Sequence, residues 1–122
     1  MKASLSDVLA RLLKPSPDSE PADGAEAFAH GSMSLRGCLP KAGHPQTLDQ
    51  DAIYLVATGH CELMQADDTT ALKAGDAVFV RAGAEHRFET TSEDFSAWLV
   101  LWGPAGGEAP ALPPSVFAAI DA

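Results

Sequence analysis

The chain has 122 residues, with 8 Lys and Arg against 17 Asp and Glu, for a formal net charge of −9. That length fits one domain and excludes a second full one. The acidic balance argues against nucleic acid and against anionic membrane surfaces, since both demand clustered basic side chains.

In chain order, Leu5, Val8, Leu9, Leu12 and Leu13 recur at helical spacing and predict an amphipathic helix. Ser4 is placed to cap it, Asp7 suits its first turn, and Pro15 stops it. Pro15–Glu26 is rich in Pro, Ser, Asp and Gly and reads as a surface loop. The pattern turns to strands from Phe28 onward. Candidates are Ser32–Leu39, Asp51–Ala57, Cys61–Gln65, Thr70–Lys73, Ala77–Val80, His86–Thr90 and Ser96–Trp102. Ala66-Asp67-Asp68-Thr69 is a hairpin turn, and Thr58-Gly59 and Gly75-Asp76 are further turns. Short strands at regular spacing predict a closed or sandwiched all-β body. The segment Gly103–Pro114 is proline-rich and irregular, and Ser115–Ile120 can form one helical turn. The expected division is a helix and linker over 1–27, a β body over 28–108 and a tail over 109–122.

Met1-Lys2-Ala3-Ser4 opens no apolar signal segment, and the longest apolar run, Ala97–Trp102, is too short to span a bilayer. A cytoplasmic protein is expected. Cys38 and Cys61 have no CxxC spacing and read as buried, reduced thiols. No nucleophile elbow, phosphate loop or dinucleotide fingerprint is present.

Residues Gly75 to Thr90 carry the most specific pattern. Gly75, Gly83 and His86 fall at the spacing of G-x5-P-x-G-x2-H-x3-N, with Arg81 at the Pro position and Thr90 at the Asn position. This resembles the second motif of the cupins. Their first motif, G-x5-H-x-H-x3,4-E-x6-G, is half present. Its last glycine is Gly59, Ala52 takes the Glu position, Leu48 the second His and Gln46 the first. The longer spacer substitutes Pro45 and Thr47 for the last two, again without imidazole. The segments His30–Ser34, Asp51–Tyr54, Ala84–Phe88 and Trp102–Glu108 are similar to a small single-domain subgroup. The resemblance implies an all-β fold, a small antiparallel jelly-roll β-barrel, here with an N-terminal helix. It also implies an internal pocket and a homodimer.

A cupin metal site combines three imidazoles and one carboxylate around Fe, Mn, Ni, Zn or a similar ion. Here the corresponding set reads Gln46, Leu48, Ala52 and His86. Leu and Ala have no lone pair to donate, so the metal site is expected to be degenerate, with no resident cofactor. His44 beside His86 and Gln46 is the weak alternative ligand set, and His60 is expected in a turn. Period-two alternation from Ala52 and His86 points Tyr54, Val56, Phe88 and Thr90 inward. Trp98 and Trp102 are preferred inward on the last strand over Ala97, Leu99 and Leu101, because the alternative exposes two indoles. The expected pocket is therefore His86, Tyr54, Ala52, Phe88, Leu48, Trp98 and Trp102. Its expected role is to bind a small, partly apolar molecule without catalysis. The alternative is a divalent-metal enzyme, a dioxygenase or isomerase, using His86 and His44. Asp67-Asp68 and Glu93-Asp94 are expected in solvent, Arg87 outward, and Arg81 in a surface ion pair.

Overall fold

The computed structural model describes residues 1–12 and 24–108. Helix α1 spans Leu5–Leu12 and is followed by eight strands. These are β1 (Ala25–His30), β2 (Met33–Cys38), β3 (Asp51–Thr58), β4 (His60–Gln65), β5 (Asp68–Lys73), β6 (Ala77–Val80), β7 (His86–Thr91) and β8 (Ser96–Trp102). The expected Pro15 stop, most of the Pro15–Glu26 loop and the Ser115–Ile120 turn lie outside the described residues, as does the tail beyond Glu108.

The strands form two antiparallel sheets, a five-stranded one in the order β1-β2-β8-β3-β6 and a three-stranded one in the order β5-β4-β7. Glu26, assigned to a loop from its composition, lies instead in β1, opposite Arg36 of β2. Local sequence carries little strand signal there. The pairing to β2 supplies it, with a bulge between Glu26 and Phe28. The β4–β5 turn is tighter than expected, with Gln65 paired directly to Asp68. Gly59 separates β3 from β4 at φ +75°, where a Cβ would fall 2.4 Å from Ser92 Oγ and 2.8 Å from Phe95 Cα. Only glycine fits both the dihedral and the space.

The core lies between the sheets. Ala52, Tyr54 and Val56 of β3 face it, with Val80 of β6 and Ala97, Leu99 and Leu101 of β8. Cys61, Leu63, Leu72 and Phe88 come from the smaller sheet, and Leu48 and Phe95 from connections. Two inward assignments are corrected. Ala97, Leu99 and Leu101 fill the interior, so Trp98 and Trp102 project from the outer face of the larger sheet, partly buried. There the ring centroids of Trp102 and Phe79 lie 6.0 Å apart. Thr90 is also outward, because a bulge between Glu62 and Leu63 breaks the alternation of β7, and its hydroxyl donates to Glu62 Oε1.

Helix α1 covers part of that outer face. Val8 is buried, and a Cβ on Gly37 would meet Val8 Cγ1 at 2.9 Å and Leu5 Cδ1 at 3.0 Å. The missing side chain of Gly37 is therefore what lets the helix seat on β2. Ser4 begins the helix through its carbonyl, which accepts from the Val8 N–H, while its hydroxyl meets that of Ser6.

Residues 103–108 are fastened by three side chains, the first being Ser32, whose Oγ accepts from the Gly103 N–H. Gln50 Nε2 donates to the carbonyls of Ser32 and Gly103. Asp51 is buried, and its carboxylate accepts from the N–H groups of Ala82 and Glu108. Those two hydrogen bonds, together with nearby Arg81, hold its pKa below the usual carboxylate value.

Candidate functional site

The site the motifs predict is assembled by β3 and β7. Alternation along β3 turns Ala52 and Tyr54 inward, and alternation along β7 does the same for His86 and Phe88. The segment before β3 runs beside β7, where the backbones of Gln46 and His86 exchange two hydrogen bonds. That pairing carries the chain on to Leu48, which is buried. His86, Tyr54, Ala52, Phe88 and Leu48 thus meet in one interior cluster, while Trp98 and Trp102 lie on the far side of the larger sheet.

The Tyr54 hydroxyl lies 3.0 Å from His86 Nε2, and His86 Nδ1 lies 3.2 Å from the Ala84 carbonyl oxygen. A carbonyl only accepts, so Nδ1 carries the proton and donates. Nε2 then holds the lone pair, which accepts from the Tyr54 hydroxyl. Both ring nitrogens are satisfied within the protein. The rings of Tyr54, His86 and Phe88 pack edge to face, with centroids 5.2 to 6.4 Å apart. Burial holds the His86 pKa below 6.5, and the hydrogen bond to Ala84 opposes only part of that shift. His86 is a neutral imidazole at pH 7.

This donor set does not fit a divalent ion. Leu48 and Ala52 have no ligating atom, and Tyr54 occupies the one lone pair His86 has to give. His44 is on the surface while His86 is 1% exposed. Gln46 meets His86 through its backbone. Among the described residues, no group of three or more His, Cys, Asp or Glu is placed to hold a metal. His60 opens β4 at the surface. Tyr54 is the residue whose role the sequence alone did not reveal. Its inward direction is legible from alternation, but its hydroxyl reaching the His86 lone pair is not.

A hollow of about 240 Å³ opens beside this cluster, lined by Pro45, Met64, Ala66, Glu85, His86 and Arg87. A second of about 570 Å³ shares Ala66 and Glu85 with it and adds Gln65, Asp68, Thr70, Phe79, Arg81 and Ala84. Arg87 points outward to Glu89 and to Met64 Sδ. Arg81 does not make the expected ion pair: among the described residues no carboxylate oxygen lies within 4 Å of its guanidinium, although it acts on Asp51 at longer range. Cys38 and Cys61 are buried, and neither is in a disulfide. Burial, and then the neighbouring Glu62, push the Cys61 thiol up to about 11, which removes it as a nucleophile at neutral pH.

Two facing antiparallel sheets with the second motif on β6–β7 and an emptied first motif define a cupin that has lost its metal ligands. The cupin domain family matches residues 39–102, just over half of the chain, and the chain belongs to that family. An uncharacterised protein of Streptomyces coelicolor is 36% identical over 55 residues, covering 45% of this chain and 51% of that protein. A Salmonella typhimurium structure assigned to ethanolamine utilization (protein Q) is 32% identical, with TM-score 0.52, covering 62% of this chain and 60% of that one. The chain therefore spans only half to three fifths of these two relatives. A Rhizobium leguminosarum structure of unknown function shares the fold more completely, with TM-score 0.67 over 84% of this chain and 95% of that one, at 14% identity.

Proposed function

We propose that this chain is a binding cupin whose two sheets close into a small barrel, and that it holds a small, partly apolar molecule without catalysing its turnover. The observation that carries this reading is the Tyr54–His86 hydrogen bond. It fills with protein the lone pair that a metal enzyme of this family would direct at its ion. The ligand enters at the hollow beside Pro45, Met64 and Glu85, where His86 forms the inner wall. Apolar contacts from Met64 and Pro45 and polar ones from Glu85 and Arg87 suit a molecule with one flat apolar part.

The test joins metal analysis to ligand titration. Protein purified without chelator is expected to carry well under one equivalent of Fe, Mn, Ni or Zn. Phenol and indole, used as probes, are expected to shift the amide resonances of Glu85, His86 and Arg87. Stoichiometric metal that disappears in His86→Ala would overturn the reading. Probes that leave those three amides unmoved would remove the mouth as the binding place.

A further inference from the structure

Arg81 stands where the second motif carries Pro, and it lines the hollow of about 570 Å³ together with Asp68 and Glu85. Among the described residues none of these three side chains takes part in an ion pair, so oppositely charged groups line one hollow without neutralising one another. Their supports are fixed. The turn between Arg81 and Glu85 is held at three points: the Ala84 N–H donates to the Arg81 carbonyl, the Gly83 N–H to the Leu48 carbonyl and the Ala82 N–H to the Asp51 carboxylate. Gln65 Nε2 donates to the Phe79 carbonyl, which ties the β4–β5 hairpin to β6. Ala66 in that hairpin has φ +52°, the one non-glycine residue in the left-handed region among the described residues. Ala66 and Glu85 line this hollow and also the mouth beside His86, so the two are neighbours with a shared wall. In the mouth the guanidinium of Arg87 is already engaged by Glu89 and Met64, which leaves Arg81 as the cation with no side-chain partner.

We infer that the two hollows form one site for a free aromatic α-amino acid. The inference rests on the mouth beside His86 taking the flat apolar part of a ligand, and it adds the polar head. The ring lies against Met64 and Pro45, the carboxylate meets Arg81, and the ammonium group meets Glu85 and Asp68. Charge selects this class over simpler ones. An anion without an ammonium group would approach a chain of net charge −9 and meet two carboxylates beside Arg81. A cation without a carboxylate would have Arg81 as a like charge in the same hollow. A zwitterion is neutral overall and answers both signs at once. Its two charged groups stand on one carbon, so the head bridges protein charges that lie more than 4 Å apart. The guanidinium fork of Arg81 offers paired N–H donors that match a carboxylate. The hollow also falls within the roughly 300–1,000 Å³ of small-molecule sites.

The test titrates the full chain with L-phenylalanine, phenethylamine, 3-phenylpropionate and phenol, each to about 20 mM, and reads amide resonances. L-Phenylalanine is expected to move the amides of Asp68, Thr70 and Arg81 as well as those of Glu85, His86 and Arg87. It is expected to bind about tenfold tighter than either analogue with a single charge. Arg81→Met is expected to erase its advantage over phenethylamine, and Asp68→Asn with Glu85→Gln its advantage over 3-phenylpropionate. Phenol, which carries the ring alone, is expected to bind the parent chain and Arg81→Met alike. All three positions are exposed, and the dispersion of the amide spectrum checks that the variants fold. L-Phenylalanine that binds no tighter than phenethylamine, or an advantage that survives Arg81→Met, overturns the inference. If phenol still moves the mouth amides in that case, the reading of the mouth stands and only the head-group assignment falls. If phenol moves none of them, both fall.

Discussion

Tyr54 and His86 satisfy one another, so each is exposed to loss of the other. Tyr54→Phe removes the hydroxyl and leaves a buried imidazole lone pair without a donor. It is expected to cost about 1–3 kcal/mol, measured by urea denaturation. His86 also sets a pH dependence whose sign follows from burial. Its folded-state pKa lies below 6.5, so the unfolded chain binds the proton more tightly. The stabilisation is fully present above about pH 6.5 and declines as pH falls toward the folded-state value. The unfolding midpoint is expected to fall through that window in the parent chain and to flatten there in His86→Gln. At this scale the sequence was informative about what is missing. Leu48 and Ala52 announce lost ligands from their chemistry alone. It was silent about what replaces them, because a hydrogen bond between residues 32 positions apart is a product of packing.

Strands were legible wherever a period of two or a turn signal marked them. Ala77–Val80 begins after the Gly-Asp turn, and Asp51–Thr58 ends at the Thr-Gly turn, within one residue of where the sequence places it. β1 was hidden, because AEAFAH reads no more like a strand than like a helix until β2 lies beside it. The two wrong facings have different causes. A bulge inserts one residue and reverses the alternation at Thr90. On β8 both residue sets are apolar, so the pattern itself cannot choose between them, and large indoles went to the outside while Ala97, Leu99 and Leu101 met the opposite sheet. Connections are the fragile parts of such elements. Gly59→Ala places a side chain at φ +75° against Ser92 and Phe95. It is expected to destabilise by about 2 kcal/mol or more, read from the denaturation midpoint, with accelerated amide exchange at His60, whose N–H donates to Ser92 Oγ.

For the whole molecule, the charge of −9 is a destabilising field as well as a filter on partners. Several carboxylates of the described region are exposed, among them Asp67, Glu93 and Asp94 in turns and Asp68 at the start of β5. Raising salt from about 10 mM to about 0.5 M screens that self-repulsion and is expected to raise Tm by about 2–5 °C.

The position of the indoles has a practical consequence for spectroscopy. The chain has two tryptophans and one tyrosine, and these divide between the outer face of the larger sheet and the interior. Trp98 and Trp102 stand on the outer face of the larger sheet, while the tyrosine, Tyr54, is in the interior against His86. Tryptophan emission therefore reports on what touches the outside of the sheet. It is expected to stay still when a small molecule enters beside His86. One sample thus carries two optical probes that respond to different events.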